Sequence, residues 1–145
     1  MGVSRGFTLL ELLVVLAVMA LVYAVAFPFV GGDYGGVDLK AAAYQVAAGL
    51  RRTRNVAVAQ RQEATFTLDV DQRRFVVTGD PKAYSLPSKL DIVLYTAQSE
   101  LVQGKSANIR FYPDGSSTGG RVTLAAGKQK LNVNVDWLTG KVSIE

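Results

Sequence analysis

The feature that most constrains this chain is the run LLELLVVLAVMALVYAVAFPFV from Leu9 to Val30, in which no charged side chain follows Glu11. A helix over residues 7–30 rises about 36 Å at 1.5 Å per residue, enough to cross the roughly 30 Å hydrocarbon core of a bilayer. The remainder of the 145 residues then suffices for one small folded domain. Glu11 is the anomaly, because a lone carboxylate deep in a membrane helix costs about 2.5–3.5 kcal/mol on insertion scales.

Charge around the run suggests an orientation. Arg5 precedes it and the next basic residue is Lys40, so the positive-inside rule expects a cytoplasmic N-terminus and an exported remainder. The chain has no cysteine and no histidine, which excludes a disulfide framework, the usual zinc sites, and Cys-His or Ser-His-Asp nucleophiles. A formal charge of +4 is modest, and its densest cluster, Arg51, Arg52 and Arg54, reads first as a solvated helix face.

Three readings fit the N-terminus. One is a secretory signal peptide with Ala24-Val25-Ala26 as its small-residue cleavage site. Another is a plain anchor in which Glu11 reaches the headgroups. Neither gives Glu11 a purpose. In the third, the stretch RGFTLLELLVVLAVMALVYAVAFP resembles the leader and helix of type IV pilins and type II secretion pseudopilins. That resemblance implies cleavage by a prepilin peptidase after Gly6, removing residues 1–6, and N-methylation of Phe7. It implies that Glu11, fifth in the processed chain, docks a subunit into a filament by meeting the Phe7 amine of a neighbour. An ion pair in a low-dielectric setting favours that registered state over a solitary buried carboxylate.

Beyond the run, Gly31-Gly32-Asp33-Tyr34-Gly35-Gly36 has the composition of a hinge, expected over residues 31–37. Asp38 is placed to cap a second helix ending near Gln60. Its stripe of Leu39, Ala42, Ala43, Val46, Ala47, Leu50 and Ala57 recurs at helical spacing, with Gly49 a mild cost inside it. From Ala64 the period becomes two. Phe66, Leu68 and Val70 lead through Asp71-Gln72-Arg73 to Phe75-Val76-Val77 as a hairpin. Further strands are expected around Leu90–Leu94, Ile109–Phe111 and Val122–Leu124, with a closing pair joined at Thr139-Gly140. Helices followed by strands argue for an α+β domain over 38–145, an amphipathic helix on antiparallel sheet. Trp137 is expected in its core with Leu131, Val133 and Val135.

The C-terminal motifs IRFYPDGSSTGGRV (109–122) and VDWLTGKV (135–142), with LRRTRNVAVAQ (50–60) in the helix, resemble the GspH/FimT family of pilin-like proteins. The resemblance implies a type IV pilin-like fold and the role of an H-type minor pseudopilin. Such a protein sits near the tip of a periplasmic pseudopilus that drives folded proteins through the outer membrane. Implied partners are the I-, J- and K-type minor pseudopilins, the major pseudopilin and the prepilin peptidase. The implied location is the inner membrane, single-pass, with the C-terminal domain in the periplasm. The FimT-like side of the family implies the alternative, a minor pilin binding DNA for uptake, for which Arg121, Lys128, Lys130 and Lys141 supply charge.

No enzyme, cofactor or metal is expected. Asp69, Asp71 and Asp80 match no calcium loop and read as turn residues. The loop from Pro113 to Gly120 lacks the Gly-Lys-Ser/Thr ending of a phosphate cradle and leads to a strand. It reads as a mobile connection, with partner contact through Asp114, Gly115, Ser116, Ser117 and Thr118 as the functional alternative.

Overall fold

The computed structural model describes residues 6–30, 34–97, 100 and 106–145, with the side chains of 25–30, 34 and 35 outside the description. Two compact units result, Met1–Tyr34 and Gly35–Glu145.

The first unit is the helix α1, Leu9–Val30. Thr8 caps it, accepting at Oγ1 the Glu11 N–H at 3.3 Å. The described apolar side chains are exposed on every side, from Phe7 and Leu9 at 81 % to Tyr23 at 71 %. A helix apolar all round needs a cover other than water. Among the described residues no helix is long and apolar enough to cross a membrane; residues 25–30 of the expected span, Pro28 included, lie outside the described side chains.

The second unit starts within α2, Tyr34–Gln60, one residue after the helix begins. It begins one turn earlier than a cap at Asp38 requires, taking in Gly35, Gly36 and Val37; residues 31–33 of the expected hinge lie outside the described residues. Once packing fixes the alanine-rich turns, extending a helix backward costs only the small propagation term of each residue. The stripe from Leu39 to Ala57 is buried as its spacing demands, and Thr53, buried beside it, donates its hydroxyl to the Gly49 carbonyl at 2.8 Å.

Among the described residues eight strands follow: β1 Ala64–Asp69, β2 Arg74–Val77, β3 Tyr84–Ser85, β4 Asp91–Thr96, β5 Ser106–Phe111, β6 Gly120–Ala126, β7 Gln129–Val135 and β8 Val142–Ile144. They form two antiparallel four-stranded sheets, ordered β3-β2-β1-β5 and β4-β6-β7-β8. The buried positions alternate along β1 and β5, so Phe66, Leu68, Ile109 and Phe111 join the α2 stripe in one core. The second sheet adds Val122, Leu124, Val133, Val135 and Val142 to that cluster. In the β1–β2 hairpin Asp69 accepts the Gln72 N–H and Arg73 takes a left-handed φ of 51°, its guanidinium donating to the Leu90 carbonyl.

Gly49 is not a tolerated cost but a requirement. A Cβ there would lie 2.6 Å from Phe75 Cε2 and 3.0 Å from Phe66 Cε2. Those rings are stacked on each other at 4.8 Å, and Phe75 on Tyr84 at 5.1 Å, so neither can yield freely. Alanine would gain about 1 kcal/mol of helix propensity and lose about 1–3 kcal/mol to overpacking. Gly49→Ala is therefore expected to lower the thermal unfolding midpoint, and a raised midpoint would show that the rings do yield.

Trp137 departs from expectation. It is 65 % exposed, as is Leu138 at 63 %, because β7 ends at Val135 and the two-residue alternation does not extend into the turn that follows. Asp136 starts that turn, its Oδ1 accepting the backbone N–H groups of Leu138 and Thr139 and the Thr139 hydroxyl.

Candidate functional sites at the N-terminus and in the C-terminal loops

At the N-terminus, Gly6 precedes α1 and a Cβ on it would meet nothing within 4 Å. Packing among the described residues therefore places no demand for glycine there. Phe7 is exposed, and Glu11 stands exposed in the first turn of α1. A carboxylate in this position faces the positive end of the helix dipole. Sequence reasoning missed the Thr8 cap, although Thr8-x-x-Glu11 has the spacing of a capping box.

The three C-terminal and helical motifs meet in space. Tyr112 to Thr118 folds back on β5. The Gly115 N–H donates to the Tyr112 carbonyl, the Tyr112 N–H to the Ser116 carbonyl and the Thr118 N–H to the Arg110 carbonyl. Asp114 Oδ1 accepts both the Ser116 N–H and its hydroxyl at 2.9 and 2.6 Å. Ser117, buried, donates its hydroxyl to the Arg110 carbonyl and its N–H to the Trp137 carbonyl. The loop is thus tied along its length rather than a mobile connection. Asp114 is exposed, Ser116 and Thr118 are half-buried, and Gly115 and Ser117 are buried and unavailable as contacts.

Arg54 of α2 closes the arrangement, its Nε donating to the Gly115 carbonyl at 3.1 Å. Gly140 lies over the same carbonyl so closely that a Cβ would sit 2.0 Å from it. The arginine cluster of the helix is therefore more than a solvated face. Arg51 reaches the Val142 carbonyl, Arg52 the Tyr84 hydroxyl and Asp80, and Arg54 the loop. Each ties the helix to a different strand or turn, a role invisible to a reading of local charge.

Another cluster was also missed. Arg110 on β5 holds buried Glu100 through Nε at 3.0 Å and Nη2 at 3.4 Å, and Glu63 through Nη1 at 2.8 Å. The bonds to both carboxylates raise the Arg110 pKa above its already high value, so the guanidinium stays charged. Its members are 10 and 47 residues from Arg110 in sequence, beyond the reach of any periodic pattern. Asp80 is a turn residue as expected, held low by the Lys82 N–H and then by the Tyr84 hydroxyl. Among the described residues no three His, Cys, Asp or Glu side chains come together as metal ligands.

Asp114 and Asp136 both lie below the ordinary carboxyl value of 3.8, the first through the Ser116 hydroxyl and N–H, the second chiefly through the Thr139 N–H and hydroxyl. A carboxyl lowered by folding stabilises the fold above its unfolded pKa, and that contribution is lost as pH falls through the folded one. The amide resonances of Ser116 and Thr139 are thus expected to shift together with carboxyl protonation below pH 3.8. Asp136→Asn should remove the Thr139 transition; a midpoint above 3.8 would contradict the hydrogen-bond assignment.

Comparison with known proteins covers both units. Residues 42–139 match the family described as type II transport protein GspH, and residues 1–27 match the prokaryotic N-terminal methylation motif. The chain is 36 % identical over 138 residues to type II secretion system protein H of Xanthomonas campestris pv. campestris, covering 95 % of this chain and 81 % of the relative. In fold it is similar to the minor pseudopilin EpsH from the type 2 secretion system of Vibrio cholerae. The TM-score is 0.58 at 15 % identity, over 74 % of this chain and 96 % of that one. It is equally similar to the type IV minor pilin FimU of Pseudomonas aeruginosa, with a TM-score of 0.58 at 13 % identity over 74 % and 87 % of the two chains. At these identities the structural matches speak to the α+β pilin-like fold.

Proposed function

The chain belongs to the GspH family of type II transport proteins, and from that premise we propose that it works as a minor pseudopilin, a structural subunit near the tip of a secretion pseudopilus. The observation that carries the proposal is the joining of an N-terminal methylation motif over 1–27 to a GspH domain over 42–139 in one chain. An α1 apolar on all sides supports it, since lipid before assembly and other subunits' helices after it provide the cover such a helix needs.

In this reading residues 1–6 are a leader, residues 7–30 anchor the subunit in the inner membrane and the second unit stands in the periplasm. Prepilin peptidase cuts after Gly6 and Phe7 is methylated. The new Phe7 amine is a cation, which the uncut peptide bond is not, so Glu11 gains an intermolecular partner only once processing is complete. Its neighbours are other pseudopilins, among them the I-, J- and K-type subunits, and exposed Asp114 with half-buried Ser116 and Thr118 forms the accessible part of a contact loop. The work is structural: docking through Glu11 and presenting the α+β unit.

N-terminal sequencing and intact mass of the chain, extracted from membranes of a host with prepilin peptidase, test the processing step. A start at methylated Phe7 is expected, and a start at Phe27 would replace the filament by an ordinary secreted domain. Deleting the gene should abolish export of the host's type II substrates; undiminished export would sink the secretion role even with Phe7 processed.

A further inference from the structure

We propose that the outward face of the first half of α2 is a second assembly contact, packed in the filament against the apolar face of a helix from a neighbouring pilin-like subunit. The inference rests on the pseudopilin reading and adds a surface beyond α1. A helix lying on a core ordinarily turns a polar face to water. α2 does so only from Arg51 onward, where Arg51, Arg52 and Asn55 are exposed. Before that its exposed line runs Val37, Ala41, Tyr44 and Ala48, opposite the buried stripe. Val37 is 70 % exposed and Tyr44 65 %. Scattered apolar residues need no explanation, but an aligned set on one helix face does.

Helical geometry gathers these side chains into a narrow strip. At 3.6 residues per turn the four positions fall within about 60° around the axis and span about 16 Å along it. Among residues 37–48 Lys40 is the one exposed charge, and it stands at the edge of the strip. Ala41 and Ala48 lie three residues before and four after Tyr44, so the ring stands as a ridge between two hollows. That relief is what ridges-into-grooves packing of a second helix requires, and the small alanines let the two axes approach. Tyr44 supplies a large rigid apolar body, with a hydroxyl for the polar margin of the contact.

Chain order says what covers the strip. Residues 7–30 already rise about 36 Å, more than the roughly 30 Å hydrocarbon core, so in an anchored subunit Val37 to Ala48 come after the lipid. Only residues 31–33 separate α1 from α2. Subunits of the same build, gathered through their α1 helices, therefore bring their own second helices to this level. Apolar character also fades in that direction. α1 is apolar on every side, α2 on two opposite faces as far as Leu50, and on one face from Arg51. A cover complete around α1, partial along the first half of α2 and absent beyond it fits a bundle of helices that is tightest at the anchors.

The chain has no cysteine, so Ala48→Cys sets a single small thiol on the strip. Its labelling by a membrane-impermeant maleimide is followed in spheroplasts of a deletion strain carrying the variant, with and without the other pseudopilins. The thiol should label freely in the subunit alone and about tenfold more slowly beside the other pseudopilins, because a packed contact excludes water. Tyr44→Glu and Ala41→Glu alter exposed positions, so both should keep the thermal midpoint and the cleavage after Gly6 while cutting secretion of type II substrates about tenfold or more. Asn55→Glu, on the same line beyond the strip, should secrete like the parent chain. Equal labelling under both conditions would overturn the proposal, and slow labelling of the subunit alone would assign the strip to lipid instead. Full secretion by both glutamate variants, where the deletion abolishes it, would sink this surface alone. An unprocessed N-terminus, or undiminished secretion on deletion, would sink the pseudopilin reading and this surface with it.

Discussion

Alanine at Gly140 is expected to lower the unfolding midpoint of the α+β unit far more than alanine at Gly127. Both glycines have left-handed backbones, with φ of 64° and 59°. That conformation alone costs an L-residue about 1–2 kcal/mol. Around Gly127 a Cβ finds open space, so its substitution isolates the backbone cost. At Gly140 the Cβ would stand 2.0 Å from the Gly115 carbonyl oxygen and 2.9 Å from Arg54 Nε. Neither neighbour can step aside without breaking the Arg54 to Gly115 hydrogen bond. A further loss of about 1–3 kcal/mol follows from overpacking and the broken contact. Thermal unfolding of the full chain in detergent, followed by Trp137 emission, measures both variants. Equal shifts would mean that the loops separate without cost and that the meeting of the three motifs stabilises nothing.

That meeting shows what a sequence reading reaches and where it stops. The α2 stripe was legible because burial on one helix face writes itself into the sequence every three or four residues. The β1–β2 hairpin was legible for the same reason at period two, with Asp69 and Arg73 supplying turn chemistry. Gly49 carried no such signal. Its value depends on two rings that arrive from β1 and β2, and by propensity alone it looks like a defect.

Long-range polar contacts were illegible on similar grounds. Arg54 meets Gly115 across 61 residues and Arg51 meets Val142 across 91, so no window along the chain contains both partners. The family motifs marked the segments without revealing that they touch. Trp137 misled because alternation was carried past the point where Asp136 turns the chain. An Asp two residues ahead of a leucine and three ahead of a threonine is a turn signal, and giving it precedence over periodicity places Trp137 outside. At the N-terminus the reverse holds. The motif is legible in the sequence, while of its residues the described structure places Gly6, Phe7, Thr8 and Glu11, and the chemistry proposed for them is that of assembly.

Replacing Glu11 is expected to separate membrane insertion from assembly. Removing the carboxylate relieves an insertion cost bounded above by the roughly 2.5–3.5 kcal/mol of a charge at the centre of the span, so Glu11→Ala should enter the membrane at least as readily as the parent chain. Leader cleavage should persist, since Gly6 and Phe7 are untouched. On the proposed docking, the variant lacks the partner for the Phe7 amine, and a methylated cation left unpaired in a low-dielectric filament core would carry the penalty instead. Secretion should therefore fall to the level of a deletion strain while processed subunit accumulates in the membrane. Glu11→Gln keeps the length of the side chain and its hydrogen-bonding oxygen but not its charge, and should behave like alanine. Glu11→Asp keeps the charge on a shorter stem and should retain part of the activity. Full secretion by Glu11→Gln would show that shape rather than charge does the docking, and the pairing with Phe7 would have to be given up.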